Sequence, residues 1–213
     1  MHISDDRYFR DRQRHDLALR MIRHEARTCT IKACTGLTQD RIRRLCKTYE
    51  GHLATSPMRR RRGKSPRQLA FFTRNAHLQF ESSCLTSVFS AFGLLRGSQH
   101  EGVESMSLEY GTLFCDAFET HRQLSRWTMI TFEHAWFLLQ QLNDGRALKL
   151  IRCRDCLGQF LHDPLNVAAY SCPTCRVKKN PSRRRRANIP QLIRGRPPES
   201  VPAWPADPEP APH

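Results

Sequence analysis

Cys153-Arg-Asp-Cys156 is followed, after fifteen further residues, by Cys172-Pro-Thr-Cys175. Two Cys-x-x-Cys pairs at this separation read as one tetrahedral zinc site. Each pair makes a tight knuckle that aims two sulfurs at one metal. Gly158 follows the first pair by two residues, where a knuckle often needs positive φ, and Pro173 stiffens the second. Between the pairs, Phe160, Leu161, Val167 and Tyr170 surround a polar His162-Asp163-Pro164 turn. That pattern predicts two short strands joined by a loop, with His162 a solvated loop residue rather than a ligand. Four thiolates around Zn²⁺ leave net negative charge, which Arg152, Arg154 and Arg176 are placed to offset. With Cys153, Cys156, Cys172 and Cys175 as ligands, no position is left for water. The expectation is therefore one structural Zn²⁺ per chain. The competing reading is a pair of disulfides, or cysteines of no consequence.

Outward from this module, the chain has 213 residues with a net charge of +15 and 39% hydrophobic residues. Most of it has the apolar content to fold. Residues 1–68 hold 18 Lys/Arg against 7 Asp/Glu, residues 69–175 hold 8 against 10, and residues 176–213 hold 9 against 3. A near-neutral middle between two basic ends points to nucleic acid, with an anionic membrane surface the weaker alternative. Met1 to Arg14 has no apolar signal region, and no stretch approaches a membrane span. These features predict a cytoplasmic chain with reduced thiols. Cys29, Cys34, Cys46, Cys84 and Cys115 share no ligand spacing, and most of them read as small buried apolar residues.

The fold class is mainly α. A helix over Asp11–Arg27 places Leu17, Ala18, Met21 and Ile22 on one face. Ala26 to Leu45 reads as a helix, a turn at Thr35-Gly36-Leu37, and a second helix from Thr38. Gly36 suits the left-handed end of a helix and Thr38 an N-cap. Ile31, Leu37, Ile42 and Leu45 fall at the core positions of a helix-turn-helix. Gln39, Arg41, Arg43 and Arg44 are left for DNA; the competing reading is a helical hairpin with a charged face. Arg59, Arg60, Arg61 and Arg62 lie in a loop between two Ser-Pro pairs, suited to phosphates. Leu69–Gly97 predicts a helix with one apolar face, and Ser107–Arg122 and Trp127–Leu142 two more. The last of these is so broadly apolar that it is buried on several sides, in a monomer core, in a bundle or against another subunit. After the last cysteine come Arg183, Arg184, Arg185 and Arg186, and then a tail with 8 prolines in 27 residues, which predicts disorder. The parts divide into a basic helical segment (1–68), an apolar interaction core (69–150), the zinc module (151–179) and the tail (180–213).

In this order the parts resemble the flagellar transcriptional activator family FlhC. Gly36-Leu-Thr, Arg41-Ile-Arg-Arg-Leu-Cys-Lys47, Asn75-Ala-His77, Ala135-Trp-Phe-Leu138, the four cysteines and Ile189-Pro-Gln-Leu192 carry the likeness. The chain departs from it at Gln68-Leu-Ala-Phe-Phe72, where members have a Trp-containing stretch. The resemblance implies a helical, zinc-containing DNA-binding regulator. It further implies a hetero-oligomer of four FlhD and two FlhC chains that activates flagellar promoters with RNA polymerase.

Other function classes fit less well. No His-Glu-x-x-His, Gly-rich phosphate loop or nucleophile elbow is present, and the cysteine pairs lack the His-x-Glu and preceding proline of zinc deaminases. The expectation is that the chain is not an enzyme. The alternative is a zinc-containing RNA-binding or scaffold protein, although no aromatic-rich basic RNA motif is visible.

Overall fold

Four apolar residues of one helical stripe set the position of the first element. In the computed structural model, which describes residues 3–52, 66–95, 107–125, 128–145, 147–165 and 170–179, α1 (Ile3–Arg23) buries Leu17, Ala18, Met21 and Ile22 as their spacing predicts. It ends where Glu25 takes φ 57° and the Ala26 N–H returns to the Met21 carbonyl at 3.0 Å. α2 (Thr28–Thr35) has no capping side chain of its own. Instead the buried Glu133 carboxylate accepts the Arg27 N–H at 2.8 Å and the Thr30 hydroxyl at 3.2 Å, placing negative charge at the helix start. Gly36, at φ 69°, closes α2 by donating its N–H to the Lys32 carbonyl at 2.9 Å. Thr38 Oγ1 then accepts the Arg41 N–H at 3.4 Å and starts α3 (Gln39–His52). Ile31, Leu37 and Ile42 are buried in this unit and Leu45 is half-buried, so the two helices, the turn between them and their buried residues form as read.

The single helix expected over Leu69–Gly97 is two. Asn75 adopts extended backbone and accepts the Leu78 N–H at 2.8 Å, a strong N-cap that separates α4 (Ala70–Thr73) from α5 (Ala76–Ala91). α5 also departs from the one-faced pattern. Leu78, Leu85 and Phe89 are buried, and so are Gln79, Glu81, Ser82, Ser83 and Thr86. The polar set survives burial because it is bonded. The Ser83 and Thr86 hydroxyls donate to the Gln79 and Ser82 carbonyls at 2.6 and 2.7 Å, and Glu81 Oε1 accepts the Met129 and Ile130 N–H groups at 2.9 and 3.0 Å.

That capture explains a second difference. α6 (Leu108–Leu124) starts from a Ser107 cap close to where the sequence places it. α7 (Phe132–Asp144) starts five residues after Trp127, because the Met129 and Ile130 amides point at Glu81 and Thr131 caps the helix. Phe114 on α6 meets Phe132 and Trp136 on α7 edge-on, with centroids 4.9 and 5.0 Å apart. Ala135, Trp136, Leu138 and Leu139 are buried inside this same chain. Of the readings that the sequence left open for α7, its apolar breadth is thus accounted for by the chain's own core.

Two strands and a short helix complete the described residues. β1 (Lys149–Arg152) pairs antiparallel with β2 (Gln159–His162), Ile151 opposite Phe160 and Leu150 opposite Leu161. The strands were expected between the two cysteine pairs. β2 lies there, but its partner β1 precedes the first pair, which forms the hairpin loop, because an antiparallel pair needs only a short connection. The second pair enters α8 (Pro173–Lys179). His162 is no loop residue. It is a β2 residue, 6% exposed, and its ring stacks on Tyr170 with centroids 5.7 Å apart. The expected arginine loop at 59–62, Arg183–Arg186 and the proline-rich tail lie outside the described residues.

Candidate functional site

The hairpin geometry aims the first two sulfurs. The Cys153 N–H donates to the Gly158 carbonyl at 2.9 Å and the Leu157 N–H to the Cys153 carbonyl at 3.0 Å, closing the loop. The positive φ expected at Gly158 is found one residue earlier, at Leu157 (φ 59°). At Gly158 a Cβ would stand 3.4 Å from Cys156 Sγ, at the edge of ordinary van der Waals contact. Leu157, mostly exposed, therefore holds a backbone conformation that disfavours a Cβ.

Cys153, Cys156, Cys172 and Cys175 bring their sulfurs within 4.8 Å of one another. Cys156 and Cys172 sulfurs are 3.7 Å apart. A tetrahedral site with metal–sulfur bonds of ~2.3 Å needs ~3.8 Å between ligand atoms, whereas a disulfide needs ~2.05 Å. All nine cysteines are free thiols. Backbone amides already point at the sulfurs: Cys172 N–H at 3.1 Å and Asp155 N–H at 3.4 Å to Cys153 Sγ, Cys175 N–H at 3.4 Å to Cys172 Sγ. Such donors stabilise thiolates and orient them around a cation.

The thiols respond unequally to this environment. Desolvation pushes Cys153 up, but the amides of Cys172, Cys156 and Asp155 outweigh it and hold the thiol down at about 6. Cys175 is pushed up to about 12, first by its hydrogen bond with Cys172 and then by burial. Cys172 is also raised, chiefly by desolvation. Cys153 ionises readily while Cys172 and Cys175 resist, because burial and hydrogen bonds among the sulfurs favour their neutral forms. A divalent cation removes that conflict, so the donor set fits a metal ion held by four sulfurs with no open position for chemistry.

The module is fastened to α5. Gln79 Nε2 donates to the Leu161 carbonyl at 2.8 Å, and the Leu161 N–H donates to Ser83 Oγ at 2.9 Å. The Arg176 guanidinium donates to Gln79 Oε1. Sequence reading missed Gln79 and Ser83; a polar pair inside a Phe- and Leu-rich helix was the available signal. Of the arginines expected to balance the sulfur charge, Arg154 lies over the Tyr170 ring at 4.3 Å and Arg176 is engaged with Gln79. Lys179 reaches Asp155 at 2.5 Å.

The candidate DNA-reading residues sit on the outer face of α3. Gln39, Arg41, Arg43 and Arg44 are all exposed, while Ile42 and Cys46 on the same helix face the core. Arg43 Nη1 meets Asp40 at 3.2 Å. Arg41 meets both carboxylate oxygens of Asp11 on α1, at 3.2 and 3.3 Å. Asp11 was not singled out in the sequence, since a partner thirty residues away leaves no local trace. No described helix is long and apolar enough to cross a membrane. A family model described as "Flagellar transcriptional activator (FlhC)" matches residues 5–188. No curated protein matches the sequence.

Proposed function

The chain belongs to the FlhC family of flagellar transcriptional activators, and from that premise we propose that it is the DNA-reading subunit of a hetero-oligomer with FlhD that brings RNA polymerase to motility promoters. The observation that carries the reading is α3. It follows a tight turn at Gly36, buries Ile42 against the core, and turns Gln39, Arg41, Arg43 and Arg44 to solvent. A helix fixes side-chain directions, which is what base reading in the major groove requires. Arg59–Arg62 and Arg183–Arg186 act in this scheme as phosphate charges without base preference. Residues 1–68 serve DNA, 69–150 the protein partner, 151–179 the metal and 180–213 the charged tail. The family stoichiometry of four FlhD to two FlhC chains is the expected assembly, working in the cytoplasm.

The metal in this proposal is Zn²⁺, one per chain, held by Cys153, Cys156, Cys172 and Cys175. It supplies folding energy and no reaction step. Four thiolates suit Zn²⁺, Cu(I) and iron–sulfur chemistry; a site closed by four protein ligands favours Zn²⁺ in a structural role.

The test is a pair of titrations, promoter and scrambled duplex, at several salt concentrations, with the chain co-purified with FlhD. Replacing Gln39 or Arg43 by Ala is expected to reduce preference for the promoter by ~1–3 kcal/mol per lost base contact, with scrambled DNA little affected. Equal weakening on both duplexes would remove α3 as the reading helix. Failure of the chain to co-purify with FlhD would remove the hetero-oligomer.

A further inference from the structure

Arg41 makes a two-pronged contact. Its Nη1 donates to Asp11 Oδ1 at 3.2 Å and its Nη2 to Oδ2 at 3.3 Å. The carboxylate is also 3.8 Å from His15 Nδ1. Asp11 lies on α1, the helix anchored by Leu17, Ala18, Met21 and Ile22, and its main-chain oxygen is 2.7 Å from His15 Nδ1. The arginine side chain nevertheless remains 51% exposed. A guanidinium carries five N–H donors in a rigid plane. Asp11 engages the end of that plane. The second fork, Nε–H with its neighbouring Nη–H, has no partner among the described residues. A guanine presents O6 and N7 in the major groove at the spacing such a fork matches.

We infer that Asp11 is a positioning residue for DNA recognition: it fixes the Arg41 guanidinium so that its Nε edge reads a guanine of the promoter. The inference rests on α3 being the DNA-reading helix and assigns its specificity to a pair from two helices. The physical gain is order. A free arginine on a helix surface loses rotamer freedom when it docks on a base, and a fixed carboxylate imposes that loss before binding. Removing the carboxylate leaves the positive charge but frees its direction. The consequence therefore falls on base discrimination and not on general affinity.

The experiment uses the full chain co-purified with FlhD, as D11A, D11N, R41A and D11A/R41A variants. Each is titrated against promoter DNA, against promoter variants with single G·C pairs changed to A·T, and against a scrambled duplex at several salt concentrations. R41A is expected to lose about tenfold discrimination at one G·C pair. D11A loses most of the same discrimination at that same pair, adds nothing in the R41A background, and leaves the salt slope on scrambled DNA unchanged. D11N, which keeps one acceptor oxygen, recovers part and guards against a folding defect in D11A. Tighter binding of D11A to both duplexes would overturn the inference, because the carboxylate would then only compete with phosphate. Retained discrimination in D11A, with discrimination lost in R41A, overturns it while leaving α3 as the reading helix. Retained discrimination in R41A removes Arg41 as a base reader, and the inference with it; loss of promoter preference in Q39A or R43A would still support α3.

Discussion

The helical body and the cysteine module are built on different kinds of glue. The body folds around a continuous apolar cluster that runs from Leu17 on α1 through Phe114 on α6 to Leu139 on α7. The module's own buried set is Cys153, Phe160 and Cys172, with Ile151 and Cys175 partly covered against it. So small a cluster cannot offset the conformational entropy of ordering two knuckles and a hairpin. Sulfurs crowded within 4.8 Å add like-charge repulsion as they ionise. The body is thus held by burial, while the module has, in place of a core of its own, four sulfurs that could hold a metal ion. The two should fail separately and under different insults.

The sharpest way to break this contrast is to remove a sulfur. Cys153→Ser or Cys175→Ser is expected to abolish binding of one equivalent of metal and to unfold the module, since structural zinc supplies ~10–16 kcal/mol of apparent binding energy in isolated fingers. Elemental analysis reads the metal, limited proteolysis the module, and circular dichroism the body, whose helices should persist. Collapse of the helical signal as well would show that the two regions are one cooperative unit.

The converse substitution is Phe114→Ala. Phe114 is fully buried against Phe89, Phe132 and Trp136, and its loss should cost ~3–5 kcal/mol of body stability in chemical denaturation. Metal stoichiometry should stay at its wild-type value; a fall would mean that the body core also holds the module in register.

Acid offers a milder probe of the body. Burial alone would raise the Glu119 carboxyl, but hydrogen bonds from His24 and Arg20 outweigh it and bring it from 4.5 down to about 2. A carboxylate with a depressed folded-state pKa stabilises fully above its ordinary value and less as pH falls through the folded one. The stabilising contribution of Glu119 should therefore decline between pH 4.5 and about 2. Thermal melts of wild type and Glu119→Gln across that window should converge at the acid end. Parallel curves would show that the Arg20–Glu119–His24 cluster contributes nothing to acid sensitivity.

The smallest effect concerns Leu157. At φ 59° it carries a Cβ in the left-handed region, and replacing it by Gly should relieve roughly 1 kcal/mol of strain. The gain should appear as tighter metal retention against a chelator, with body melting unchanged. Weaker retention would mean that the exposed leucine side chain packs on something in the working assembly.

What the sequence disclosed follows from how local the interaction is. Gly36 and Thr38 act on their own helix ends, and the Leu17–Ile22 stripe is a matter of spacing, so both were readable. The four cysteines were readable because metal ligation imposes short, fixed intervals. Glu81 is a different case. It acts on amides of residues 129 and 130, and nothing near it in sequence marks a buried carboxylate as a cap for a distant segment. Glu133 likewise starts a helix more than a hundred residues away. Asn75 lay within reach: an asparagine before Ala-His-Leu is a good N-cap, but the surrounding phenylalanines concealed the break. Leu157 shows the limit of residue-type reasoning, since the glycine next to it was the obvious holder of positive φ.

β2 has alternate duties along its length. Phe160 belongs to the sulfur cluster and Leu161, the next residue, to the body core. Successive strand residues point to opposite faces, so shifting the strand by one position exchanges the two assignments. The stretch from Cys156 to Phe160 is consequently a counted spacer. Among descendants of this sequence, insertion or loss of a single residue there would turn a phenylalanine away from the sulfurs and a leucine away from the helices at one stroke. Drift in length should therefore be purged from this interval even at Gln159, whose exposed side chain is free to vary in type.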